Sequence, residues 1–260
     1  MKGRIFSIVG GMLLLTVCSK GDNGSVRAAP PAIPPAPVAP AADVSAAGGT
    51  ITGKIKFTGT APRNPVIDMS EEAACKAKYT TTPTEENVVA GPANALSNVF
   101  VYVSAGVPAG QTFTAPATPV VLDQSGCRYH PHVFGVMVGQ TLEIRNSDPV
   151  LHNIKAVAKK NRPFNVSQPN AGMTTNRTFS TPEVMVNLQC NVHGWMHAWV
   201  GVRPDPFFAV SGKDGSFSIT GLPPGTYTIE AWHEKFGTQT ATVTIAGTES
   251  KTANFTFAAR

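Results

Sequence analysis

The chain has 260 residues, of which 42% are hydrophobic and 14% are charged, so it supports a packed core and is not a disordered charged chain. Its formal net charge is +5, without a lysine or arginine run, and we expect no nucleic-acid partner. Many Val, Thr, Ile and Phe residues alternate with Gly- and Pro-containing turns, which predicts an all-β fold of sandwiches or barrels.

The first residues have the pattern of an export signal. The apolar run from Ile5 to Val17 follows two basic residues and is too short to span a bilayer. It ends at Cys18 in a segment that resembles a bacterial lipoprotein box, so we expect residues 1–18 to be a signal peptide and Cys18 to be lipidated. Ordinary cleavage near Ala28 is the alternative. This predicts a protein of the periplasm or cell surface that contacts a membrane only through an N-terminal lipid anchor.

Residues 19–49 lack periodicity and are rich in Pro and Ala, which predicts an extended linker. Alternation from Ile51 to Phe57 predicts a first strand with one polar face. Ser70 begins a predicted short helix that carries Cys75. Further β-rich runs predict strands at residues 99–103, 120–122, 133–138, 141–145, 184–188, 198–202, 217–219, 227–229 and 242–245.

The strongest chemical signal lies between Cys190 and His197, directly after a predicted strand. Cys190, His193 and Met196 offer a thiolate, an imidazole and a thioether within seven residues. Two histidines, one cysteine and a weak axial methionine are the ligands of electron-transfer copper sites. His152, which follows the strand predicted at residues 141–145, is the candidate for the second imidazole.

This pattern resembles the cupredoxins, the small blue copper proteins. The similar segments are Tyr129-His130-Pro131, Val136 to Leu142, Asn146 to Asn153 and the Cys-x-x-His-x-x-Met loop, all within residues 115–203. The loop has the short form of the amicyanin-like members. The resemblance implies a Greek-key β-sandwich.

The resemblance also implies one type 1 copper ion bound by His152, Cys190, His193 and Met196. Asn153 would tie the two ligand loops together. The implied function is one-electron transfer between a donor and an acceptor redox protein, with electrons passing through a partly exposed His193.

Other metal sites were compared with this one. A zinc site would use His152, Cys190, His193 and His197. A binuclear copper centre would need a second cysteine in the loop, which the sequence lacks. In the structural interpretation Cys190 is a free or disulfide-bonded thiol and Met196 belongs to the core, but four donors in the family's order favour copper.

The C-terminal segment from Gly212 to Tyr227 resembles the carboxypeptidase regulatory-like, transthyretin-like sandwich, through its D-G-x-F and G-L-P-x-G-x-Y motifs. The opening strands of that fold have counterparts far upstream, at Gly49 to Ile55 and Asn98 to Val103. We therefore predict that the cupredoxin domain is inserted in this sandwich, with simple tandem order as the alternative. The predicted domains are residues 50–108 and 206–260 for the two parts of the regulatory-like sandwich, and residues 109–205 for the cupredoxin.

Several other residues have a predicted role. Cys75 and Cys127 are expected to pair in a disulfide, because an exported protein lies in an oxidising compartment. His130 and His132 could bind another metal, but their place beside Pro131 favours a structural role. His197 is expected to point away from the copper, and Trp232 to be packed between exposed neighbours.

Four classes of function were compared. A multicopper oxidase or nitrite reductase needs more His-x-His pairs than this sequence holds, so no enzyme is expected. Copper storage is disfavoured because the methionines are scattered. A cell-surface binding or structural module, with a copper or zinc site that is not redox-active, remains the alternative to an electron-transfer protein.

Overall fold

The computed structural model describes residues 48–259, in which 17 strands and two short helices form a protein of four β-sheets. The predicted all-β class is therefore confirmed. The predicted signal peptide, Cys18 and almost all of the predicted linker lie outside the described residues. Between residues 48 and 259, no helix has the length and apolar character needed to cross a membrane.

Each of the β-rich runs predicted from the sequence overlaps a strand of the structure. The α-helix, α1 (Ala73–Lys76), lies in the long connection between the first two strands. In chain order the strands are β1 (Gly49–Thr58), β2 (Phe100–Ala105), β3 (Val120–Gln124), β4 (Tyr129–His130), β5 (Val133–Met137), β6 (Leu142–Asn146), β7 (His152–Val157), β8 (Phe164–Gln168), β9 (Thr174–Arg177), β10 (Glu183–Gln189), β11 (His197–Arg203), β12 (Phe208–Val210), β13 (Ser216–Leu222), β14 (Gly225–His233), β15 (Gly237–Ile245), β16 (Ser250–Thr252) and β17 (Phe255–Ala258).

The two ends of the described region build one sandwich, which we call the split sandwich. In one sheet, β1 pairs antiparallel with β13 and parallel with β16 and β17. In the other sheet, β2 lies between β12 and β14, and β15 lies beside β14. Alternate residues of both sheets point into a shared core, as period-two alternation requires. Its fully buried members include Ile51, Ile55, Val101, Val103, Tyr227 and Ile229.

Strands β3 to β11 form a second, uninterrupted sandwich, which we call the central sandwich. One sheet has the order β5-β11-β10-β7-β8 and the other the order β4-β3-β6-β9. The two sheets share a separate apolar core that includes Leu122, Ile144, Ile154, Leu188 and Val200. The ends of β7 and β10, which carry the predicted ligands, meet at one edge of this core.

The two sandwiches pack through aromatic side chains set against glycines. A Cβ atom on Gly135 would lie 2.3 Å from the ring of Phe208, and one on Gly201 would lie 2.3 Å from the ring of Phe100. Gly135 and Gly201 are paired neighbours on β5 and β11. The absence of side chains at this pair therefore allows rings of the split sandwich to contact the backbone of the central one.

The β14–β15 hairpin also packs inward, which corrects two expectations. His233 is only 1% exposed, and the Glu234 side chain is 6% exposed, although both were expected to be exposed neighbours of Trp232. The His233 ring stacks on Phe236 at 4.6 Å between ring centroids, and Glu234 contacts the central sandwich.

The sequence also predicted that Ser70 begins the short helix, whereas α1 begins at Ala73 without a side-chain cap.

The buried His233 predicts a loss of stability in acid. Burial is the main cause that lowers the pKa of His233 from 6.5 to about 4, so the unfolded chain binds a proton that the folded chain does not. The contribution of His233 to the free energy of unfolding is therefore fully present above pH 6.5. It is lost as the pH decreases to about 4, which amounts to roughly 3 kcal/mol. His233→Gln should flatten this dependence in urea unfolding measured across that range. His130→Gln, a change at an exposed histidine, should leave the slope as it is, and an equal slope in both variants would contradict the assignment.

Candidate metal centre

Two loops at one end of the central sandwich carry the predicted ligands. His152 is the first residue of β7, and Cys190 directly follows β10. His193 and Met196 lie in the short connection from β10 to β11. Because β7 and β10 are hydrogen-bonded neighbours, the chain brings the two loops to the same place.

Three of the predicted ligands come together there. The nearest donor atoms of His152, Cys190 and His193 all lie within 4.8 Å of one another, and the two Nδ1 atoms are 3.0 Å apart. All three residues are buried, with exposures of 0%, 4% and 1%. Polar and ionisable groups placed so deeply need partners, and here they face each other across one small gap.

Asp148 orients the first imidazole. Its Oδ2 atom lies 3.0 Å from His152 Nε2, which holds the proton on Nε2 and leaves the lone pair of Nδ1 directed at Cys190 and His193. The same carboxylate accepts hydrogen bonds from the backbone N–H groups of Gly126 at 2.9 Å and Cys127 at 2.7 Å. Burial alone would raise the pKa of Asp148, but the contact with His152 and these N–H donors lower it.

Cys190 lies in surroundings that favour the thiolate. Burial acts to raise its pKa, but interactions with His152 and His193 outweigh burial, and the pKa falls to about 5. The backbone N–H of His193 donates to Cys190 Sγ at 3.3 Å. A thiolate is the form of cysteine that binds metals, so Cys190 is prepared as a ligand near neutral pH.

Asn153 connects the two ligand loops. Its Oδ1 atom accepts a hydrogen bond from the backbone N–H of Asn191 at 2.7 Å and lies 3.3 Å from Cys190 Sγ. Its Nδ2 atom donates to Asn165 at 2.7 Å, which keeps Oδ1 turned towards the cysteine. The side chain thus occupies the connecting position that the sequence predicted for it.

Met196 closes the loop on the inside of the sandwich. It is 1% exposed, and its backbone N–H donates to His193 O at 2.9 Å, while the backbone N–H of Cys190 donates to Met196 O at 3.1 Å. These bonds fold the loop so that its ends meet. His197, the fourth ligand of the zinc alternative, instead directs its ring towards Glu234 at 3.6 Å.

His193 differs from the expectation, because it is buried and not partly exposed. Glu72 lies over it, with Oε1 at 3.8 Å from His193 Nε2, and the Trp195 ring lies beside it at 5.1 Å between centroids. The cover is held by a disulfide between Cys75 and Cys127. The sequence predicted this disulfide but not that it would hold the chain over His193, since α1 precedes the loop by more than a hundred residues.

The donor set suits copper on chemical grounds. A soft thiolate with two imidazoles, and a thioether in the same loop, is the combination that selects copper over magnesium or calcium. Ligands bonded to one ion at 2.0 to 2.3 Å lie roughly 3.3 to 3.5 Å from one another, and the 3.0 Å between the two Nδ1 atoms is close to that range. His152, Cys190 and His193 would hold the ion, and Met196, buried in the same loop, would be the weak fourth donor.

Sequence reasoning did not find two residues of this centre. Asp148 lies in the Ser147-Asp148-Pro149 segment, which has the composition of an ordinary turn. Glu72 lies in the chain that covers His193. Neither has a local pattern that indicates its role. A carboxylate four residues before a predicted His ligand is the one signal that could have indicated Asp148.

Comparison with protein families identifies the C-terminal part. Residues 202–258 match the model of the carboxypeptidase regulatory-like domain. The predicted resemblance to this domain is therefore confirmed for that segment, which includes β12 to β17 of the split sandwich. No curated protein sequence matches the chain.

The solved structures similar to this chain include a nitrite reductase, an amicyanin and a purple cupredoxin. A Cu-containing nitrite reductase from Thermus scotoductus SA-01 is 22% identical over 39% of this chain and 26% of its own, with a TM-score of 0.32. A Cu(I) form of an amicyanin variant is 20% identical over 40% of this chain and 98% of its own, with a TM-score of 0.29. A purple cupredoxin from Nitrosopumilus maritimus is 22% identical over 32% of this chain and 97% of its own, with a TM-score of 0.28. The chain thus spans about a quarter of the nitrite reductase.

Proposed function

We propose that this protein binds one type 1 copper ion and carries single electrons between redox proteins. The observation that carries the proposal is the convergence of His152, Cys190 and His193 within 4.8 Å of one another in a buried position. Met196 is assigned as the weak axial ligand. When bound, copper would supply a one-electron Cu(II)/Cu(I) couple.

The protein's own contribution is to keep the ligands in one arrangement. Asp148 fixes the ring of His152, and Asn153 joins the cysteine loop to β7. A rigid ligand set changes little between oxidation states, so electron transfer needs little rearrangement. The apolar core beside Cys190 and Met196 keeps water away from the thiolate, which is one of the factors that sets a reduction potential.

Apolar side chains next to the ligands support docking of a partner. Leu151 precedes His152 and is 42% exposed, and Val192 precedes His193 and is 45% exposed. Exposed apolar residues beside a buried redox site suit a transient contact with another redox protein. Because His193 is covered, electrons would enter and leave near Leu151 and Val192.

The proposal includes an exported location, in the periplasm or at the cell surface, with a lipid anchor at Cys18. The disulfide between Cys75 and Cys127 supports an oxidising compartment. The protein is assigned no catalytic reaction of its own and no nucleic-acid partner.

A copper titration tests the function. One equivalent of Cu(II) added to the metal-free protein should produce an intense visible band, because thiolate-to-copper charge transfer requires Cys190 as a ligand. Cys190→Ser should abolish the band completely while the fold, measured by circular dichroism, is kept. Absorption spectra and electron paramagnetic resonance provide the measurements.

A methionine variant provides the matched control. Met196→Leu conserves apolar volume and should retain one copper and the visible band, with a changed reduction potential. Complete loss of copper in this variant would contradict the axial assignment. A colourless protein that prefers Zn²⁺ would favour the binding or structural module instead.

A further inference from the structure

A second group of metal-ligating side chains lies at the junction of the two sandwiches. Donor atoms of His132, His197 and Glu234 all lie within 4.8 Å of one another. His132 Nε2 is 2.5 Å from Glu234 Oε1, and His197 Nε2 is 3.6 Å from Glu234 Oε2. The histidines belong to the central sandwich and the carboxylate to the split sandwich.

The group is buried, which makes its composition informative. Side-chain exposures are 5% for His132, 6% for Glu234 and 19% for His197. A carboxylate buried this far needs positive charge or several donors. Besides the two imidazoles, it receives one hydrogen bond from Trp199 Nε1 at 3.3 Å.

His197 is held as a metal-ligating imidazole usually is. His197 Nδ1 lies 3.1 Å from Trp195 O, so Nδ1 carries a proton and Nε2 is the atom that faces the cluster, where it would release its proton to bind a metal. The Asn87 side-chain oxygen lies 3.2 Å from the same Nε2 atom. His132 is fixed by its backbone, whose carbonyl accepts from Trp199 N at 2.8 Å.

Space for a further ligand adjoins the two imidazoles. A cavity of about 10 Å³ is lined by His132 and His197 together with Glu85, Glu86 and Arg128. This volume holds roughly one water molecule. A water there would complete a set of two imidazoles and one carboxylate, the ligand combination of several open zinc sites.

We propose that His132, His197 and Glu234 bind a divalent transition-metal ion, separate from the copper centre. The absence of sulfur from the set favours an ion of borderline hardness such as Zn²⁺ over Cu(I). The ion would join the two sandwiches directly, since its ligands come from both. The inference does not require the proposed copper function.

Zinc binding to a protein without the thiolate tests the inference. The full chain with Cys190→Ser should bind one equivalent of Zn²⁺ in calorimetry, and X-ray absorption should show nitrogen and oxygen ligands without sulfur. Adding Glu234→Gln should weaken binding by more than about 100-fold, as expected when a ligand is removed. Adding Glu249→Gln, at a carboxylate whose side chain is 37% exposed and pairs with Lys251, should leave the affinity unchanged.

Folding is controlled separately, because Glu234 also joins the sandwiches without a metal. His132→Gln replaces a ligand on the other sandwich and should give a similar loss of affinity. Circular dichroism of both metal-free variants checks that they fold. Failure of the Cys190→Ser protein to bind Zn²⁺, or equal affinity after Glu234→Gln, would overturn the inference and leave a metal-free histidine–carboxylate contact. Neither outcome depends on whether copper binds at Cys190.

Discussion

Asp148→Ala should lower the free energy of unfolding by about 3 to 5 kcal/mol, the cost of breaking a buried ionic and hydrogen-bonded group. The carboxylate accepts from the backbone N–H groups of Gly126 and Cys127 and contacts His152 Nε2. Alanine would leave all three groups without this partner inside the protein. Guanidinium unfolding of the metal-free protein measures the loss.

The same variant should disturb the metal site. Without Asp148, the ring of His152 is free to turn, so copper affinity should fall by roughly 10- to 100-fold. Asp123→Ala provides the control, since Asp123 accepts one side-chain hydrogen bond, from Ser147 at 2.7 Å, and should cost less than about 1 kcal/mol. Equal losses in the two variants would mean that Asp148 is not an orienting group.

Removing the disulfide should have the second large effect. The bridge between Cys75 and Cys127 closes a loop with a sequence separation of 52, for which chain entropy predicts about 4 kcal/mol of stabilisation. The double variant Cys75→Ala with Cys127→Ala should therefore unfold at much lower guanidinium concentration. Unfolding curves of the two proteins under the same conditions measure this difference.

The disulfide variant also tests the cover on His193. If α1 is held over the ring by the bridge, its release should expose His193 and speed oxidation of the reduced copper protein by a small soluble oxidant. Glu72→Gln keeps the bridge and the bulk of the cover, so its rate should remain near that of the parent. An unchanged rate in the disulfide variant would show that the cover does not limit access.

Much of the fold could be predicted because its strands have strong local patterns. Alternation in β1 and the Asp214-Gly215 turn before β13 predicted elements that the structure contains. Strands β8 and β9 were missed, since all their residues except the polar Gln168 are exposed or half-buried and show little apolar contrast. Their position depends on pairing with β7 and β6, which is tertiary information.

Of the candidate metal centre, the sequence could predict only the ligands that lie at a recognisable spacing in one loop. Cys190, His193 and Met196 occur in one loop, so their proximity follows from the chain itself. The cover formed by Glu72 depends on the disulfide and on tertiary packing. Contacts such as that of His132 with Glu234, separated by 102 residues, have no local signature. For this reason the sequence favoured a structural role for His132 and solvent exposure for Glu234.

The contacts of Phe100 and Phe208 with glycines of the central sandwich also limit how the protein can be cut into fragments. The chain belongs to the central sandwich between β2 and β12, and the connection from β1 to β2 also packs on it through α1 and the disulfide. Excising the central sandwich as a recombinant fragment would uncover the strip around Gly135 and Gly201 that Phe100 and Phe208 now occupy. Such a fragment should self-associate in solution, so spectroscopic work requires the undivided chain.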